Sequence, residues 1–260
     1  MARGEVYRNP TVKQVIFQIR FPNLFYIESK IGDYQMRVME RFPDSRLAYR
    51  RNILIANVGP DVSVGDIPKP TDDAQVSKIW SFRSREGVEL NVEMDSLAIS
   101  STLHKTYNSP GVEPRFRDVI ELAVGSLIEV TSIPVLSRIG LRYVDDCPVP
   151  ETTNETYRSW YATAFPLERF PISEALEMVF LARVRKGKHN LTYREQFGYK
   201  DGKAQLTLDF DGYAETVRAS EYLTTADELH DMISEEYEER TIKEPVRLYM
   251  RGEADNDTRA

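Results

Sequence analysis

One short phrase occurs twice in this chain. Leu90-Asn91-Val92-Glu93-Met94-Asp95-Ser96-Leu97-Ala98 returns as Leu206-Thr207-Leu208-Asp209-Phe210-Asp211-Gly212-Tyr213-Ala214, with apolar, acidic and small residues in matching places. Each copy alternates apolar and polar side chains, the pattern of a strand with one buried face, and shifts phase after its second acid as a bulge does. The recurrence predicts a duplicated unit.

The flanking residues extend that expectation. Val15, Phe17 and Ile19 alternate with Gln14, Gln18 and Arg20, predicting a strand from Val12 to Phe21 that stops at Pro22. Ser29 to Phe42 lacks strand alternation and predicts a short helix ended by Pro43. Leu47 to Val58 reads as extended, and Asp61 to Asp73, with Gly65, Pro68 and Pro70, predicts a loop able to act as a flap. Ile79 to Arg85 and Val88 to Leu103 predict a hairpin, and Pro114 to Thr131 an amphipathic helix. The order then restarts. Val135 to Val144 predicts a strand whose Leu141-Arg142-Tyr143 echoes Ile19-Arg20-Phe21, Thr153 to Phe165 a helix, and Leu176 to Arg185 and Leu191 to Tyr199 two strands. Asp201-Gly202 turns into the second copy of the phrase, and Thr225 to Arg240 closes the half as a helix, with Thr225 and Glu228 spaced as a capping box.

The predicted fold class is therefore α+β: an internal duplication of a β-α-β-β-β-α unit, with antiparallel sheets and helices packed on one face. Residues 1–133 would form the first lobe, residues 134–250 the second about a pseudo-twofold axis, and residues 251–260 a flexible tail.

In 260 residues, a hydrophobic fraction of 41% and a charged fraction of 29% suit a globular chain, and no apolar run is long enough for a bilayer span. Asn9, Pro10 and Lys13 interrupt the first candidate signal segment, so the chain reads as cytoplasmic, with no membrane partner. A lone cysteine, Cys147, excludes an intramolecular disulfide and a thiolate zinc cluster. The net charge of −7 disfavours nucleic acid as a partner, because that affinity comes mostly from Lys and Arg neutralising phosphates. Arg46, Arg50 and Arg51 form one basic cluster, and Arg183, Arg185, Lys186, Lys188 and His189 another at a predicted hairpin turn. Both read first as charged sheet edges that discourage aggregation.

The phrase places Glu93 with Asp95, and Asp209 with Asp211, two apart on strands, a spacing that suits a divalent cation. Arg20, Arg142, Arg183 and Arg185 are expected on the same face, where guanidinium groups would meet phosphates. His104, His189 and His230 lie far apart in a chain with no His-Glu-x-x-His, Gly-x-Ser-x-Gly, Walker or dinucleotide-binding motif. No catalytic residue and no cofactor is assigned on these grounds. Tyr157, Trp160 and Tyr161 fall on one predicted helix as a potential contact surface.

Arg138-Ile139-Gly140-Leu141-Arg142-Tyr143-Val144-Asp145 resembles the Arg-x-Gly-Leu-Arg-Tyr-x-Asn motif of a sporadically distributed family of bacterial proteins of about this length. The opening Tyr7-Arg8-Asn9-Pro10-Thr11 is similar to that family's Tyr-x-Asn-Pro-Pro element, followed here by Arg20-Phe21; Leu208 to Asp211 and Glu228-Leu229-His230 also fit. Thr11 stands where relatives carry a second proline, and Asp145 where they carry asparagine. The resemblance implies no known activity, and its patchy distribution implies an accessory role in bacterial conflict with phage or mobile elements.

The expectation is a recognition or regulatory protein, monomeric or homodimeric, that binds a protein partner or a small anionic ligand through Arg20, Arg138, Arg142, Asp145, Arg183 and Arg185. The alternative is a metal-dependent phosphohydrolase or nucleotide-binding protein with Glu93, Asp95, Asp209 and Asp211 around the metal.

Overall fold

The computed structural model describes residues 7–51, 76–108 and 113–253. The flap expected at Asp61 to Asp73 lies outside the described residues, as do the end of the strand expected at Leu47 to Val58 and most of the expected tail.

The first half contributes β1 (Val12–Arg20), α1 (Ile27–Val38), β2 (Asp44–Arg51), β3 (Val76–Arg83), β4 (Glu89–Val92), β5 (Ser96–Ser101) and α2 (Phe116–Thr131). The second contributes β6 (Val135–Cys147), α3 (Asn154–Trp160), β7 (Met178–Lys186), β8 (His189–Lys200), β9 (Lys203–Arg218), α4 (Tyr222–Glu235) and α5 (Glu244–Arg251). The fold is α+β, and the nine strands form a single antiparallel sheet in the order β2-β3-β4-β5-β1-β6-β9-β8-β7.

This corrects the expectation of separate sheets. β1 pairs with β6, Phe17 opposite Leu141 and Gln18 opposite Gly140, so the sheet runs unbroken through both halves. The expected boundary at residues 133 and 134 falls in the link between α2 and β6. One buried core follows, from Phe17 and Ile19 through Leu141 and Tyr143 to Phe210.

The two copies of the phrase adopt different structures. Val88 to Leu103 is not one strand: β4 and β5 fold back on each other, with Leu90 opposite Ile99 and Val92 opposite Leu97, and Glu93 to Asp95 form the turn. The second copy runs straight inside β9, where Leu206, Leu208, Phe210, Gly212 and Ala214 keep an unbroken buried alternation. The reason is the phase shift. Leu97 and Ile99 fall out of step with Leu90 and Val92, and reversing the chain at Met94 returns all four to the buried side. Among the described residues the first half thus has five strands and the second four, and the phrase marks no equivalent pair of elements.

The helices gather on one side. Tyr34 of α1 packs edge-on against Phe82 of β3 and donates to the Ala123 carbonyl of α2 at 3.1 Å. Tyr157 of α3 meets Phe197 of β8, and Tyr237, just beyond α4, meets Phe210 of β9. No helix among the described residues lies on the other face, and none is long and apolar enough to cross a membrane.

Local signals account for most boundaries. Asp201 and Gly202 both take positive φ, 53° and 76°, in the two-residue turn that joins β8 to β9. α4 starts at Tyr222 behind a 3₁₀ turn, so Thr225 is buried inside the helix instead of capping it, and Glu228 accepts from Lys188 at 2.7 Å. α5 was not expected. Proline in its first turn and Gly252 beyond its end delimit it.

Candidate binding face

The uncovered face of the sheet is built by the two-residue period of its strands. On β6, Ile139, Leu141 and Tyr143 are buried, and the same alternation turns Arg138, Gly140 and Arg142 to the open side. Register carries the row across neighbouring strands. Arg142 stands opposite Asp211, Asp211 opposite Thr192, and Thr192 opposite Arg183; one step along, Gly140 stands opposite Tyr213, Tyr213 opposite Asn190, and Asn190 opposite Arg185. On the other flank Arg20 of β1 stands opposite Arg138.

Arg138 does not bond its cross-strand neighbour Glu215. Its side chain runs along β6 over Gly140 and donates from Nη2 to both oxygens of Asp211, at 2.8 and 3.0 Å. The guanidinium carbon sits 4.8 Å from the centre of the Tyr213 ring, and Nη1 lies 3.5 Å from Gln18 Oε1. Only a glycine leaves this track open, because a Cβ at position 140 would fall 2.5 Å from Nη1 and 3.0 Å from Cζ. Arg142 takes Asp209 in a two-toothed grip, Nε to Oδ1 at 2.8 Å and Nη2 to Oδ2 at 2.6 Å. That bond raises the Arg142 pKa, whereas burial raises that of Asp211 against the pull of Arg138.

On β1, β7 and β8, four further guanidinium groups of this face stand outside any ion pair among the described residues. Arg20, Arg183, Arg185 and Arg194 are exposed and make no hydrogen bond or ion pair among the described residues. Arg183 and Arg185 lie two apart on β7, opposite Thr192 and Asn190, and Arg194 is diagonal to Arg183 across the β7·β8 ladder and opposite Asp209 of β9 without bonding it. Sequence reasoning missed Arg194. Its alternation with Leu191 and Phe197 was the available signal.

Of the residues expected to bind a ligand, Arg20, Arg138, Arg142, Arg183 and Arg185 thus share one face. Asp145 does not join them. It keeps step with Tyr143, points into the core at 1% exposure, accepts from Thr11 Oγ1 at 2.9 Å, and has its pKa raised by burial to about 7. The Thr11 hydroxyl lies 2.6 Å from that of Tyr237.

The four acids proposed for a metal are not assembled. Glu93 and Asp95 sit at the β4–β5 turn, and three strand spacings, about 14 Å, separate β5 from β9. Asp209 and Asp211 are each held by an arginine. No group of three His, Cys, Asp or Glu side chains suited to a metal occurs among the described residues.

The expected aromatic contact surface is also redirected, since Tyr157 and Tyr161 are buried. Tyr157 serves a second buried carboxylate, Glu195, which accepts from the hydroxyls of Tyr157 (3.1 Å), Thr163 (2.6 Å) and Tyr193 (3.3 Å) and from the Ala164 N–H (3.0 Å). His104 bonds Ser101 and the Pro114 carbonyl, and His230 stacks on Tyr107, so both are packed into the structure.

No protein-family model matches the sequence, no curated protein matches it, and no solved structure matches the fold.

Proposed function

We propose that this chain is a recognition protein whose open sheet face binds an acidic surface of a protein partner. The observation that carries this reading is the group of arginines outside any ion pair among the described residues, Arg20, Arg183, Arg185 and Arg194, on one face of a protein whose net charge is −7. Positive charge concentrated on one side of an acidic protein steers and orients an acidic partner. Arg138 and Arg142, fixed by Asp211 and Asp209, form a rigid centre between the free groups. A broad sheet surface with no helix over it among the described residues favours a protein surface over an enclosed small molecule.

The phosphohydrolase reading is not favoured. A cation at Asp209 and Asp211 would have to displace two arginine grips, and Glu93 and Asp95 are placed elsewhere. The setting attached to the proposal, an accessory role in conflict between bacteria and phage or mobile elements, rests on the family resemblance alone.

Anisotropy titration of a fluorescent decaglutamate tests the reading. Wild-type protein should bind it in a salt-dependent manner, and Arg183→Ala/Arg185→Ala/Arg194→Ala should weaken binding at least tenfold. Unchanged affinity in the triple variant would refute the reading. Competition by inorganic triphosphate at lower concentration than by decaglutamate would redirect it to a small anionic ligand.

A further inference from the structure

The strand that carries two of the free arginines is the last in the sheet. β7 runs for nine residues, about 30 Å when extended, and pairs only through β8. Its outer backbone groups have no partner among the described residues. Such an edge is a template for one more strand unless something covers it or repels a newcomer.

The side chains of β7 specify what it would accept. On the open face Val179 and Leu181, 49% and 56% exposed, lead into Arg183 and Arg185; on the helix-bearing face Phe180 and Val184 extend the apolar layer to the rim. An added strand therefore needs acids on one side, against the arginines, and apolar residues on the other.

A second copy of this chain does not supply that strand. β7 contains no acid, so pairing with itself would crowd four arginines without compensation. β2, at the opposite edge among the described residues, is also basic in sequence, with three arginines and one acid. Charge at both edges thus opposes self-association and selects an acidic stranger.

We propose that the partner docks by strand addition to β7, contributing an extended segment of alternating acidic and apolar residues. This deepens the reading of the open face and rests on it. Backbone hydrogen bonds to the edge supply register, and Arg183 and Arg185 select the acidic side.

The test uses a fluorescent nine-residue peptide of alternating valine and glutamate and two backbone N-methylated forms, one methylated at the valines and one at the glutamates. Only one alternate set of amides faces β7. One methylated form should bind at least tenfold more weakly than the parent and the other within about twofold. Equal affinity for all three peptides, combined with loss of binding in Arg183→Glu/Arg185→Glu, would overturn strand addition and leave the open-face reading intact. Undiminished binding in Arg183→Glu/Arg185→Glu would remove the open-face reading itself. A peptide-free dimer, seen by sedimentation and dissolved by Leu181→Lys, would overturn the choice of an outside partner. The altered side chains are exposed, and the decisive comparison alters only the peptide, so a folding defect cannot mimic the expected result.

Discussion

The guanidinium of Arg138 lies on the bare backbone of Gly140, two residues along the same strand, and from there reaches Asp211. Glycine normally weakens a strand, yet here its missing side chain is what lets the arginine lie flat between Gln18 and Tyr213.

Gly140→Ala should therefore destabilise the protein by about 1–2 kcal/mol, the combined worth of a partly exposed ion pair and a cation–π contact. In an Arg138→Ala background the same change should cost nothing or stabilise slightly, since alanine outperforms glycine in a strand by roughly 0.5–1 kcal/mol once the clash is gone. Urea midpoints of the four proteins in this cycle measure the coupling. Equal costs of Gly140→Ala in both backgrounds would exclude the packing relation.

Asp145 makes stability depend on pH in an unusual direction. Burial raises its folded-state pKa from 3.8 to about 7, so between those values the folded protein binds more protons than the unfolded chain. Stability should fall as pH rises from about 4 to about 7, and this contribution should then level off. Asp145→Asn still accepts from Thr11, removes that slope, and should stabilise the protein at pH 8 by up to about 4 kcal/mol. Denaturation of both proteins from pH 5 to pH 8 checks this, and parallel curves would contradict it.

Glu195 is buried with four donors and is bonded by no cation among the described residues. Tyr157→Phe should cost about 1 kcal/mol, one hydrogen bond, whereas Glu195→Ala should cost about 3 kcal/mol or more, because three hydroxyls and the Ala164 N–H lose their shared acceptor. Equal losses in urea melts would mean that the carboxylate is not the hub.

Alternation made much of the fold legible. Val12 to Phe21 became β1 almost residue for residue, Pro114 to Thr131 contains α2, and Asp201-Gly202 is the turn it resembles. The same period placed Arg20, Arg142, Arg183 and Arg185 on one face, which Arg138 shares. Had it been followed to Asp145, it would have turned that acid inward with Tyr143. What alternation could not reveal was pairing across strands. Nothing local indicates that Arg138 passes Glu215 to reach Asp211, or that Asp209 is held by Arg142. Nor does a repeated phrase fix a repeated structure, because one shift of phase around Asp95 converts a strand into a hairpin.

The open face is tested most directly by mapping where an acidic strand touches the chain. Backbone amide chemical shifts of isotopically labelled protein, recorded during titration with the alternating valine–glutamate peptide, should move along β7, β8 and the adjoining open-face positions of β9, β6 and β1, leaving α1 and α2 unmoved. Shifts confined to the helix-bearing face, or none at saturating peptide, would contradict it.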